Sequence, residues 1–228
     1  MTREQGQGGA FGAAMIMPIG MLYLFFLVLP IGYFLSLSFL TFSAAQMYVA
    51  EPTLENYRRL VFDGYYRGII FDTIRVSLIV TVVSLIFGYA LAYFLVRIRS
   101  AWRGILMFLI IAPLMTGVIV RTYGWIVLLG TDGLINTVLI WTGIVERPLS
   151  MLNSERTAIV ALVHIMLPYM VFPIFSSLVS QDPHLVPAAS TLGAKPMRTF
   201  FEVTLPLSRS GIVMGSVIVF TMTAGSIV

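Results

Sequence analysis

Apolar residues in this chain come in long unbroken runs separated by short polar connections, and neither strict alternation nor a one-sided helical stripe describes them. Five runs, at 11–40, 73–96, 104–129, 157–178 and 211–228, reach the length of about 20 residues that a helix needs to cross a bilayer. Every backbone polar group in lipid must be satisfied within its own segment, so the pattern predicts an all-α polytopic membrane protein with five spans. In the first run Pro18, Gly20, Pro30 and Gly32 offer places to bend or tilt. The stretch 133–145 is uncharged but too short to cross, and is expected as a short helix at the outer surface. The final run stops inside apolar sequence, which gives the expectation of a sixth helix missing from the C-terminal end.

The first run does not read as a secretory leader. Ser43-Ala44-Ala45 faintly resembles a cleavage site, but no charge falls between Glu4 and Glu51. The apolar core is also far longer than the roughly 7–15 residues of a leader.

Composition agrees with lipid as the main solvent. Hydrophobic residues make up 58% of the 228 and charged residues only 11%, with a mean hydropathy of +0.94. The net charge of +4 is spread thinly between apolar runs, with no basic stripe to follow a phosphate backbone, which excludes nucleic acid as a partner. The absence of cysteine removes disulfides, Cys-ligated zinc and thiol chemistry. Neither a metal site nor a catalytic residue is expected.

Charge between the runs sets orientation. The connection 97–103 holds Arg97, Arg99 and Arg103 without an acid, and 180–210 carries Lys195, Arg198 and Arg209 against Asp182 and Glu202. Both are expected on the cytoplasmic side, with the N-terminus inside.

The segment 180–210 is too polar for lipid and too patterned for a plain linker. Asp182 can cap and Pro183 suits a first helical position, after which Leu185, Ala188, Ala189 and Leu192 recur along one face. Gly193 is expected to stop this helix. Pro196 starts another whose apolar face is Met197, Phe200, Phe201 and Thr204, and Pro206 is expected to end it before the membrane is re-entered at Gly211. Pattern alone leaves two readings of this hook, an amphipathic hairpin resting on lipid or a docking element.

Resemblance bears on that choice. Pro187-Ala188-Ala189, Leu192-Gly193-Ala194, Phe200, Val203, Leu205-Pro206 and Gly211-Ile212 resemble the Glu-Ala-Ala loop of the membrane permeases of ATP-binding cassette (ABC) importers. In that family the loop is the coupling helix that docks on the ATPase. The resemblance therefore implies an ATPase-coupling role for Pro187, Ala188, Ala189, Leu192, Gly193, Ala194, Phe200, Leu205 and Pro206. Pro187 stands where the family has Glu, so an ion pair from that position is not carried over. Leu54-Glu55-Asn56-Tyr57 and Gly88-Tyr89-Ala90-Leu91-Ala92-Tyr93 are similar to general permease patterns. Arg121-Thr122-Tyr123-Gly124-Trp125, Gly133-Leu134-Ile135-Asn136, and His164 with Leu167-Pro168-Tyr169-Met170 resemble the spermidine/putrescine branch. This likeness covers nearly the whole chain as a single permease domain. It implies a type I importer fold, a second permease subunit, two ATPases carrying ATP and Mg, and an extracytoplasmic binding protein delivering a polyamine or related amine.

No phosphate-binding loop exists here, since the one lysine, Lys195, is followed by Pro196. Nucleotide is thus expected on another polypeptide. Arg121, a charged residue inside the third run, lies roughly 26 Å along a continuous helix counted from Gly104, near the outer surface. It is open there to two readings, a snorkelling anchor beside Tyr123 and Trp125, or a gate on the substrate path or binding-protein contact at the outer mouth. His164 is expected to hydrogen-bond a neighbouring helix rather than relay protons, and Tyr169, bracketed by Pro168 and Pro173, either lines the path or sits at a kink. The competing class is an ion-coupled secondary transporter, which normally places acids within its helices. An intramembrane hydrolase lacks its nucleophile motif.

Overall fold

The computed structural model describes residues 16–43, 47–98, 102–152 and 154–227. The expectations that touch 11–15, Ala44-Ala45, Arg99 and Val228 lie outside the described residues. Two compact units divide the chain, up to Ile70 and from Phe71 onward.

In the first unit, helix α1 (Ile16–Leu37) is apolar on all sides and carries a π-helical turn at Leu24–Val28. Strands β1 (Leu40–Ser43) and β2 (Met47–Pro52) form an antiparallel hairpin with an irregularity between Leu40 and Thr41. Helix α2 (Glu55–Phe62) follows. Its start is tied back to the end of α1: Asn56 donates to the carbonyls of Ser38 and Leu40, each at 2.9 Å, and the Tyr57 hydroxyl lies 2.6 Å from Ser38 Oγ. That is the physical content of the Leu54-Glu55-Asn56-Tyr57 motif.

Helix α3 (Gly64–Arg97) begins well before the boundary at 73 that hydropathy gives. Its 34 residues rise about 50 Å, more than the hydrocarbon thickness of about 30 Å. Between Arg75 and Arg97 the sequence carries no charge, and these arginines stand roughly 33 Å apart along the axis, close to the height of a bilayer. Helix α7 (Glu155–Val179) meets α3 where Met170 and Val171 face Gly88 and where Glu155 meets Arg75, and helix α10 (Arg209–Ile227) packs along α7. Pro168 and Pro173 lie inside α7 without interrupting it.

Close approach in this bundle depends on glycine. A Cβ on Gly211 would stand 2.5 Å from the Pro173 carbonyl oxygen. The Met170 side chain fills the space that side chains at Gly88 of α3 and Gly215 of α10 would need, its atoms lying 2.8 and 2.9 Å from Cβ atoms placed there. Met170, which is fully buried, belongs to one buried apolar cluster with Val80, Ala92, Val171, Ile174 and Val219. Lipid supplies no hydrophobic drive between helices, so contact of this kind is what joins them. Gly88→Ala is expected to destabilise the bundle by about 1–3 kcal/mol, because Met170 is held from the Gly215 side and has little room to yield. Thermal unfolding of the detergent-solubilised protein measures it, and an unchanged midpoint contradicts this packing.

The third apolar run is not one helix, which corrects the continuous span expected over 104–129. Helix α4 (Trp102–Met115) ends at Thr116-Gly117, and helix α5 (Val118–Leu129) starts anew with Gly117 in extended conformation as its N-cap. At about 21 Å, α4 alone is too short to cross. Helix α6 (Leu134–Trp141) is the short helix expected within 133–145.

Helices α8 (Leu185–Thr191) and α9 (Pro196–Thr199) form the hook, with two corrections. Asp182 and Pro183 do not open α8. The Asp182 carboxylate accepts the backbone N–H of His184 in a turn, and His184 is the N-cap. Nor does Pro206 end the second helix. A π-helical turn at Phe200–Thr204 and a short piece at Leu205–Leu207 carry the chain to Ser208, and α10 begins one residue later. Pro206 cannot donate to a carbonyl four residues back and its ring crowds that carbonyl; the wider turn immediately before it accommodates both.

Candidate functional site

Gly193 ends α8 as expected, with φ of +80° that a side chain would strain. The Ala194 N–H reaches the Ala189 carbonyl and the Gly193 N–H the Ser190 carbonyl, both at 3.0 Å, a Schellman ending. Pro196 then opens α9 at its first position. The hook is therefore a defined bend of the backbone.

Its signature residues divide into two sets. Phe200 and Leu205 turn inward and pack against the core, while Ala189 and Ala194 are half-buried. Pro187, Ala188, Leu192, Gly193 and Pro206 are exposed, Leu192 by 88%. The second face proposed for Met197, Phe200, Phe201 and Thr204 is also divided: Thr204 is buried, but Met197 and Phe201 are 69% and 56% exposed. The hook thus presents Leu192, Met197 and Phe201 away from its own bundle.

What anchors the inward set is the motif at 88–93. Tyr89 reaches Ser208 between α9 and α10, hydroxyl to hydroxyl at 3.0 Å in a buried contact. The Phe200 ring meets Tyr89 edge-on at 5.7 Å and Tyr93 at 5.3 Å. Gln181 ties the end of α7 to the Thr204 carbonyl at 3.2 Å. These contacts tie the hook to α3, to the end of α7 and to the start of α10.

At the discontinuity in the third run, Arg121 turns back across the break. Its Nη2 donates to the Pro113 carbonyl at 2.6 Å and to the Thr116 carbonyl at 2.8 Å. A helix end leaves carbonyls unpaired and carries partial negative charge, which lipid cannot relieve, and the guanidinium supplies both donor and counter-charge. The estimate of 26 Å along a single helix therefore does not describe its position. Trp125, one turn further on the same face, meets the His164 ring edge-on at 5.8 Å. A cavity of about 220 Å³ lies beside Pro113, His164 and Pro168. Tyr123, two residues from Arg121, lies on the opposite side of α5 and is exposed, whereas Tyr169 packs against the core. Of the four path residues, Arg121 and Trp125 thus share one face; Tyr123 and Tyr169 stand apart from it.

Two features escape hydropathy. Arg75, two residues inside the expected second span, meets both Glu155 carboxylate oxygens at 2.7 Å and Asp72 at 3.5 Å, joining α3 to the start of α7. Asn136, fully buried, donates to the carbonyls of Gly130 and Leu149 and accepts the Leu149 N–H. The Gly133-Leu134-Ile135-Asn136 motif is therefore a brace for the loop beyond α6. The hook and the Arg97/Arg103 connection share one end of the α3–α7 pair, and Arg75 and Glu155 mark the other.

No protein-family model matches the chain. It is 36% identical over 202 residues to the spermidine/putrescine transport system permease protein PotB of Haemophilus influenzae, spanning 89% of this chain and 70% of that one. With PotB of Escherichia coli K12 the identity is 35% over 207 residues, covering 91% and 74%. Among solved structures it matches a bacterial alginate ABC transporter in complex with alginate pentasaccharide-bound periplasmic protein, at a TM-score of 0.71 and 18% identity, over 96% of this chain and 74% of that one.

Proposed function

Because the chain belongs to the membrane permeases of ABC importers, we propose that its helices form part of a translocation path for a polyamine or related amine, driven by ATP hydrolysed on a separate subunit. The observation that carries the coupling is the divided hook, fixed to three membrane helices on one side and exposing Leu192, Met197 and Phe201 on the other. The two PotB relatives, matched over about nine-tenths of this chain, support the choice of solute. An extracytoplasmic binding protein delivers it, as the periplasmic protein in the alginate complex supports. In this reading a second permease subunit completes the path, two ATPases carry ATP and Mg, and the hook and N-terminus face the cytoplasm.

ATPase closure pushes on the hook; the Tyr89–Ser208 and Phe200 contacts pass the movement into α3 and α10, and the paired helices alternate between outward and inward openings. Few groups in the bundle can hold an ammonium strongly, since among the described residues Asp72 and Glu155 are engaged with Arg75 near one end. Selectivity therefore rests mainly with the binding protein. The assembled importer in liposomes is expected to accumulate labelled spermidine or putrescine only with ATP inside the ATPase compartment and binding protein on the opposite side. Accumulation driven by an ion gradient without nucleotide overturns this reading in favour of a secondary carrier.

A further inference from the structure

We propose that the cleft between the hook and the adjoining bundle end is a binding site for the phosphate headgroup of an anionic phospholipid. A cavity of about 290 Å³ is lined there by Tyr93, Arg97, Arg103, Gln181, Asp182 and Thr204, with Val96, Leu178 and Val179 adding apolar wall. Arg97 lies over the Tyr93 ring at 4.1 Å, and Arg103 over Phe175 at 5.0 Å. A guanidinium held over a ring by cation–π attraction is positioned without using its N–H donors, whose fork matches phosphate oxygens. Among the described residues neither arginine has a carboxylate within 4.0 Å, so neither guanidinium is already neutralised by an ion pair. Asp182, the one acid in the lining, is engaged by the His184 N–H.

The apolar wall selects a phospholipid over free phosphate. Arg97 stands roughly 33 Å along α3 from Arg75, so the cleft lies at headgroup level, where basic pockets between membrane helices hold anionic headgroups. The glycerol and first acyl carbons would rest on Val96, Leu178 and Val179. A lipid seated there touches the bundle through Arg97 and Arg103 and the hook through Val186 and Thr204. It would brace the hook against the bundle; this part of the inference rests on the importer reading, whereas the binding itself does not.

The permease purified in mild detergent and examined by native mass spectrometry is expected to retain phosphatidylglycerol in preference to phosphatidylcholine. Replacing both arginines by lysine keeps the charge that sets membrane orientation but removes the stacked forks. Retention is then expected to fall about tenfold, with circular dichroism unchanged. Arg103→Gln alone is expected to give a smaller loss and serves if the double variant does not assemble. Equal retention by the lysine pair, equal retention of phosphatidylcholine, or full displacement by millimolar inorganic phosphate each overturns the proposal. Because no ATPase takes part in this measurement, its failure leaves the importer reading standing. Failure of ATP-driven uptake with retention intact would count against that reading alone.

Discussion

Leu192→Glu is expected to abolish ATP-driven uptake and release the ATPase from the assembled importer while the permease itself stays folded. Leu192 is the C-cap of α8, at the tip of the bend, and almost all of its surface faces away from its own chain. A leucine so placed contributes nothing to the bundle but offers a partner a side chain to enclose. Interface anchors of this kind contribute about 2 kcal/mol or more when truncated. A carboxylate buried there without a counter-charge adds a desolvation penalty of several kcal/mol. Together these weaken docking by at least about a hundredfold. Co-purification of the ATPase and uptake into liposomes should both fail, with the thermal midpoint of the isolated permease unchanged. Retained ATPase and normal uptake would show that this face of the hook is not the docking surface.

Local chemistry was legible in the sequence, and distant partnership was not. Gly193 ends a helix through its own backbone and its immediate neighbours, so its role follows from position alone. Pro206 does not end its helix because what accommodates it, the π-helical turn before it, is a property of the packed hook and not of proline. Thr116-Gly117 lies inside an apolar run whose hydropathy is the same whether one helix or two fill it. The motif at 88–93 was recognisable, yet its work depends on Met170, Phe200 and Ser208, 80 to 120 residues away. Arg75 escapes hydropathy because it falls within two residues of a boundary that hydropathy places only loosely, and its partner Glu155 belongs to another helix.

Arg121 is where the two readings of the sequence part most clearly, and Arg121→Gln is expected to lower uptake at least tenfold without loosening the ATPase. The substitution leaves the Thr116 carbonyl without its donor and takes one of two from the Pro113 carbonyl, which keeps the Thr116 hydroxyl at 2.9 Å. Charge-assisted bonds of this kind contribute about 1.5–3 kcal/mol each, and water cannot replace them within lipid. With the break unbridged, α5 loses its fixed angle to α4 and Trp125 its place against His164. On the proposed coupling, movement from the hook is then expected to dissipate at the break instead of reaching the cavity beside Pro113. Arg121→Lys separates this from a snorkelling anchor. An ammonium is a compact point charge that reaches one carbonyl well and two poorly, so a latch is restored in part, whereas an anchor that needs only a cation near the surface is restored in full. Partial uptake for lysine and little for glutamine supports the latch, and full uptake for lysine with near-normal uptake for glutamine returns Arg121 to the membrane surface.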